Sequence, residues 1–234
     1  MGAIFKKEIR GYFSSALAYV FLGVFFFFSG FYFFAGVLYP NSADISPVFE
    51  SMFLIIMLLV PILTMRLFSE EFRAKTDQLL LTSPVGIHSM VYGKFFAAYL
   101  VFAIGSAITI IYALIMAIFA PLDWNSMVGN ILGLLLLGGA LISMGLFISS
   151  LTQSQVIAAV GSFGLILVFM YMDTFASLIP IDWLNSLLSQ LSFMGKYRNF
   201  VGGLINISDI LYFISVVLVF NFLTARTLEK KRWS

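Results

Sequence analysis

Six apolar runs of helix length, separated by short polar connectors, constrain this chain more than any other feature. They cover about Ala16 to Leu38, Val48 to Leu67, Lys94 to Phe119, Gly129 to Leu151, Val156 to Met172 and Ile210 to Arg226. Each is roughly 17–25 residues, enough for a helix to cross a hydrocarbon core of about 30 Å. Of the 234 residues, 61% are hydrophobic and only 10% are charged, against about 25% charged in soluble domains. Mean hydropathy is +1.04, and aromatics reach 17%, more than a water-soluble core of this size would hide. The expected fold is an all-α integral membrane protein of six transmembrane helices in one domain, residues 1–234. The first run is over twenty residues long with no small-x-small cleavage pattern after it, so it reads as an anchor and not a removable leader.

The basic residues set the expected orientation. With the N-terminus in the cytoplasm, that side receives Lys6, Lys7, Arg10, Arg66, Arg73, Lys75, Lys94, Arg226, Lys230, Lys231 and Arg232, and the other side only Lys196 and Arg198. An eleven-to-two split is a strong positive-inside signal. It places both termini and the connector between spans two and three in the cytoplasm.

Three segments lie outside the spans. In "IFKKEIRGYF", Ile4, Phe5, Ile9, Tyr12 and Phe13 share one helical face, and Lys6, Lys7 and Arg10 the other. This pattern suits an interfacial helix over residues 1–15, with a plain positive flank for span one as the simpler reading. Residues 173–209, still rich in Leu, Phe and Ile, are expected as short helices on the outer surface. The connector 68–93 holds "SEEFRAKTDQLLLTSPVG". There Ser69 can cap a helix whose first turn carries Glu70 and Glu71, where carboxylates favour the positive helix end. Glu71 and Lys75 stand four apart and Glu70 and Arg73 three apart, favourable spacings for ion pairs. Phe68, Phe72, Leu79 and Leu80 fall roughly on one side, and Pro84 ends or restarts the helix. An amphipathic helix of this kind can dock a soluble partner, although a solvated hairpin would show the same charges.

The motif Ser-Glu-Glu-x-Arg-x-x-Thr-x-x-Leu-Leu-Leu-Thr-Ser-Pro, with Gly93-Lys94 nine residues after Pro84, resembles the cytoplasmic loop of bacterial ABC-2 type transporter permeases. It is most similar to the gliding-motility-associated permeases and the related permease of nitrous-oxide-reductase maturation. "FMGKYRNFVGGLINISDILYFIS" is similar to that family's outer loop and entry into span six. The resemblance implies a plasma (inner) membrane permease subunit of an exporter, with residues 69–84 as a coupling helix seated on an ATPase. On matching positions Glu70, Glu71, Arg73, Thr76, Leu79, Leu80 and Pro84 would form the ATPase-coupling surface. It further implies two copies of a cytoplasmic ABC ATPase that carry ATP and Mg, a second permease copy or paralogue, and accessory extracytoplasmic proteins. Many relatives have Gly where Lys75 stands and Glu near Gln78, so the charge pattern differs here.

Other residues point away from chemistry in this chain. No G-x-x-x-x-G-K-[ST] loop occurs, and the Gly93-Lys94 pair lacks the earlier glycine and the following hydroxyl. Cysteine is absent, and His88 is the single histidine, so no catalytic residue, metal site or cofactor is expected within the chain, nor a nucleic-acid partner. Asp173 falls at the outer boundary of span five, where a solvated helix end explains it. The methionines are scattered in the manner of gap-filling core residues. Gly129, Gly133, Gly139 and Ser143 give span four a small-residue face, for packing within the chain or against a second copy. An intramembrane hydrolase would need a Ser–His pair, an H-E-x-x-H motif or paired aspartates, which the sequence does not offer. A non-transporting scaffold that recruits a protein through residues 69–84 is the remaining alternative.

Overall fold

In a computed structural model of the chain, residues 1–76, 86–119, 123–177, 183, 188 and 190–233 are described. They form helices connected by turns, with no strand among them. In chain order these are α1 (Gly2–Ser14), α2 (Ala16–Phe33, prolonged by a π-helical turn Phe34–Leu38), α3 (Ser46–Thr64), α4 (Ser69–Arg73), α5 (Ile87–Ser106), α6 (Ile108–Phe119), α7 (Trp124–Leu151), α8 (Gln155–Met170), α9 (Met172–Ser177), α10 (Phe193–Val201) and α11 (Ile207–Trp233). Five helical stretches are long and apolar enough to cross a membrane: Ala16–Leu38, Ser46–Arg73, Ile87–Phe119, Trp124–Leu151 and Ile207–Arg232. The apolar run read as span five forms the 16-residue α8, about 24 Å long at 1.5 Å per residue. Its helix stops at Tyr171, which has left helical geometry.

Several boundaries differ from the hydropathy reading because helices continue past the point where apolar residues stop. α5 begins at Ile87, one residue after the extended Gly86, and not at Lys94. α7 begins at Trp124, where the Asp123 carboxylate accepts the Asn125 N–H at 3.1 Å, a side-chain cap independent of hydropathy. α11 runs on to Trp233 with Lys230, Lys231 and Arg232 in its last turn, where cations complement the helix dipole. The third run is broken at Ala107. There the Ser106 and Thr109 hydroxyls donate to the Phe102 and Ser106 carbonyls, at 3.0 and 2.7 Å.

The bundle is organised around α7, which contacts α3, α5, α8, α10 and α11. Lipid tails are as apolar as leucine, so burial of apolar surface does not drive spans together there and close packing must do so. Glycines on α7 permit it. A Cβ at Gly133 would lie 2.5 Å from the Phe200 Cβ of α10, one at Gly138 2.1 Å from the Phe102 ring of α5, and one at Gly145 2.1 Å from Thr64 Oγ1 of α3. Gly139 faces Tyr99 and Val217, Gly129 approaches the Phe200 carbonyl, and Ser143 donates to the Ala140 carbonyl at 2.7 Å. Gly129, Gly133, Gly139 and Ser143 are all buried within the chain's own bundle.

Within 173–209, the described helix α10 does not simply lie along a surface. α10 inserts Phe193, Tyr197 and Phe200 into the bundle end, all fully buried, and Tyr197 donates to the Phe49 carbonyl at 2.9 Å. Beside them the buried Asp209 carboxylate accepts from Lys196 at 3.1 Å and Asn199 at 2.8 Å. Asp173 accepts a short hydrogen bond from the Ser192 hydroxyl. The close packing on α7 leads to a direct expectation. Gly138→Ala drives a methyl into Phe102, which is itself wedged against Phe21 and Phe25, and should cost about 1–3 kcal/mol as overpacking. Gly164→Ala, which meets nothing within 4 Å, should leave the detergent melting temperature unchanged or raise it. Equal melting of the two variants would contradict this packing.

Candidate functional site

At the end of the bundle opposite α10, five elements converge on the five-residue helix α4. In water a helix this short has no independent stability, because nucleation alone is unfavourable, so contacts from outside must hold it. Ser149 near the end of α7 supplies the cap. Its Oγ accepts the Phe68 and Ser69 N–H groups at 3.0 and 3.2 Å and donates to the Met65 carbonyl at 3.1 Å. Ser69, the residue expected as its own cap, is instead buried in the first turn and donates its hydroxyl to the Met65 carbonyl.

The inward face of α4 is electrostatic and aromatic. Lys94, on the second turn of α5, has a side chain only 1% exposed. Its ammonium meets Glu8 of α1 at 2.9 Å, Glu71 of α4 at 3.0 Å and the Leu67 carbonyl at 2.6 Å. The ammonium thus donates to Glu8 and the Leu67 carbonyl and is ion-paired with Glu71 as well, the pairing a buried charge requires. Lys7 adds a second cation, 2.9 Å from Glu71 and 3.8 Å from Glu8, so two positive and two negative groups balance. Burial alone would lower the Lys7 pKa, but the hydrogen bond and charge of Glu71, with Glu8 behind it, raise it above 10.5. The stabilisation from Lys7 is thus fully present at neutral pH and is lost only as pH rises through that elevated value. Phe68 and Phe72 stack with centroids 6.0 Å apart, Lys94 lying 5.0 Å from the Phe68 ring and Lys231 of α11 3.5 Å from the Phe72 ring. Lys231 also donates to the Ser150 carbonyl at 2.9 Å.

α1 is fastened to the same joint. Ile4 and Tyr12 are buried and Lys6, Lys7 and Arg10 exposed, the division expected of an amphipathic helix. Tyr12 donates to the Leu63 carbonyl at 2.8 Å, and burial pushes its phenol pKa up. Gly93 is needed where Ile4 crosses α5, since a Cβ there would stand 3.1 Å from Ile4 Cγ2. Arg66 donates to the Gly11 carbonyl at 3.4 Å and pairs with Glu70 at 3.3 Å.

Glu70 and Arg73 on the outward face of α4, and Ala74, Lys75 and Thr76 just after it, are all exposed. The ion pairs suggested by spacing are not the ones formed. Glu71 turns inward to Lys94 and Lys7, and Glu70 pairs backward with Arg66. The reason is that Lys75 lies past the helix end with φ 55°. Its N–H bonds to the Phe72 carbonyl at 3.2 Å and that of Thr76 to the Glu71 carbonyl at 3.0 Å, a Schellman termination. Leu79, Leu80 and Pro84 lie outside the described residues. Sequence reasoning passed over Glu8, Lys94, Ser149 and Lys231 as site residues. Lys94 did carry a signal, an ionisable residue opening a long apolar run, which in a membrane segment calls for a named partner. Among the described residues no group of three or more His, Cys, Asp or Glu that could hold a metal occurs.

At this end of the bundle a set of helix ends converges, with one charged face held inside and another left outside. The sequence profile described as "ABC-2 family transporter protein" matches residues 3–233. The chain belongs to the ABC-2 transporter family. It is accordingly a membrane permease of an ABC transporter, and membership implies an ATPase on a partner subunit. No curated protein matches the sequence.

Three substitutions, at two positions, examine the joint of this ABC-2 permease. Lys94→Met leaves Glu8 and Glu71 with only the largely exposed Lys7 as counter-charge and should cost about 3–5 kcal/mol, read as a large drop in melting temperature. Lys94→Arg should lie between, because a planar fork cannot reproduce the three-way contact. Lys75→Gly relieves a left-handed conformation that costs a non-glycine residue roughly 1–2 kcal/mol. It should melt at or above the parent temperature; a lower value would show that the Lys75 side chain makes a stabilising contact.

Proposed function

We propose that this chain is the membrane-spanning subunit of a bacterial ABC exporter and that α4, with the residues following it to 84, couples it to a cytoplasmic ATPase. The observation that carries this reading is the two-faced character of α4. Its inner face is tied to α1, α5, α7 and α11, while Glu70, Arg73 and Thr76 are exposed on the other. Glu71 then acts as a positioning residue within the joint, and Glu70, Arg73 and Thr76 as the contact surface, with Leu79, Leu80 and Pro84 extending it. In this reading α8 with α9 makes a sixth crossing, both termini are cytoplasmic in the plasma membrane, and two ATPases that bind ATP and Mg sit beneath a pair of permeases. The eleven-to-two distribution of Lys and Arg supports the topology. An even number of crossings is what places both termini on one side.

The test separates contact from positioning. Glu70→Lys combined with Arg73→Glu inverts the outer charges without touching the Lys94 cluster. It should abolish ATPase co-purification or permease-dependent ATP turnover while leaving melting within about 1 kcal/mol of the parent, as for exposed pairs. Undiminished association and turnover would refute the contact surface. Association without any effect of the permease on ATP turnover would instead favour a scaffold that recruits a protein without transporting. Topology is checked in this cysteine-free chain by Lys75→Cys, which should react with an impermeant thiol reagent only when the cytoplasmic side is opened. Reaction from outside intact cells would reverse the orientation.

A further inference from the structure

We propose that the crossing of α1 over α5 forms a binding site for one anionic phospholipid, with its acyl chains in an apolar groove and its headgroup on Lys6 and Arg10. The groove, of about 490 Å³, is bounded by Met1 and Phe5 of α1 and by Phe96, Tyr99, Leu100 and Ala103 of α5. From Phe96 to Ala103 it follows two turns of α5, about 10 Å along the span. A second groove of about 270 Å³ shares Phe96 and Tyr99 and leads on to Leu135, Gly139 and Leu218. Two apolar grooves with shared walls match a ligand with two hydrocarbon tails. Phe96, Leu100 and Ile104 are exposed one turn apart on that side.

The headgroup assignment comes from charge. Gly2 lines the groove, and Lys6 and Arg10 stand one and two turns beyond it on the same strip of α1. Both side chains are exposed. Among the described residues neither belongs to an ion pair, unlike Lys7 on the neighbouring strip, which is committed to Glu71 and Glu8. α1 therefore divides its cations: Lys7 is committed to the protein, and Lys6 and Arg10, in no ion pair among the described residues, follow Gly2 along α1 beside a groove that admits hydrocarbon. A phosphatidylglycerol-type lipid satisfies both requirements at once, which neither a free phosphate nor an apolar solute does. The inference rests on residence in a bilayer but not on the direction of the topology or on an ATPase.

Bimane attached at Ala103→Cys reports occupancy of the groove in nanodiscs open to both leaflets. Chain-brominated phosphatidylglycerol should quench it at a mole fraction roughly five-fold or more below that required of chain-brominated phosphatidylcholine. Lys6→Gln with Arg10→Gln should remove that preference while leaving quenching by phosphatidylcholine and the melting temperature unchanged. Native mass spectrometry of the unlabelled chain gives an independent reading, with phosphatidylglycerol retained over phosphatidylcholine at equal mole fraction in the parent only. Equal potency of the two lipids in the parent, or a preference that survives the double substitution, would overturn the site. Because no ATPase or orientation enters the measurement, failure here leaves the proposed coupling role untouched, and failure of that role leaves this site intact.

Discussion

The Lys94 ammonium is the interaction on which the organisation of one end of this molecule depends. A charge with 1% of its side chain exposed is tolerated only when paired and fully hydrogen-bonded. Its three partners come from α1, from the turn after α3 and from α4. Satisfying one cation thus ties α5 to two regions far apart in sequence, α1 and the α3–α4 corner. Lipid supplies little hydrophobic force to do this. The buried charge has a further effect: withdrawal of any one partner exposes the cost of the whole cluster, so α1, α4 and α5 are energetically linked even where they share little apolar contact.

The rest of the bundle uses a different means. Along α7 the glycines at 133, 138 and 145 let Phe200, Phe102 and Thr64 approach to distances no larger residue would permit. Contact of that kind is short-ranged, and dispersion falls away within a fraction of an ångström. α7 is consequently a close-packed axis, with the Lys94 cluster at one end and the Asp209 cluster at the other. Both clusters combine a buried charge with several donors or acceptors, and both involve short helices, α4 and α10, that the spans hold in place.

Much of this was legible in the sequence, for identifiable reasons. Apolar run length is a strong signal in lipid, so the main helices stood out. The alternation of Ile4, Phe5, Ile9 and Tyr12 with Lys6, Lys7 and Arg10 revealed α1. What could not be read were distances between elements. The pair Glu71–Lys75 looked sound because helical spacing was assumed to continue. The chain leaves the helix at Lys75, and tertiary partners at positions 7 and 94 capture the carboxylate. The cap on α4 was equally hidden, since Ser149 lies 80 residues from Ser69 and no local rule connects them. The small residues of α7 were visible, but whether their partner was another copy or the same chain depended on Phe102, Phe200 and Thr64. The departure at Lys75 was also noticed from resemblance, and its meaning came only from φ: the residue stands where a left-handed helix end favours glycine.

α4 is well suited to transmission because it is too short to exist alone. A long stable helix could tilt or shift while keeping its own hydrogen bonds, and its neighbours need not follow. A five-residue helix capped by Ser149, held through Glu71 and stacked beneath Lys231 through Phe72 cannot move without either breaking those contacts or carrying α7, α5 and α11 with it. Breaking them strands a buried ammonium, which is the costlier route. In the proposed coupling role, a partner that gripped the exposed Glu70 and Arg73 would therefore act on several spans at once, and the stiffness of the linkage would come from the same buried charge that holds the fold together.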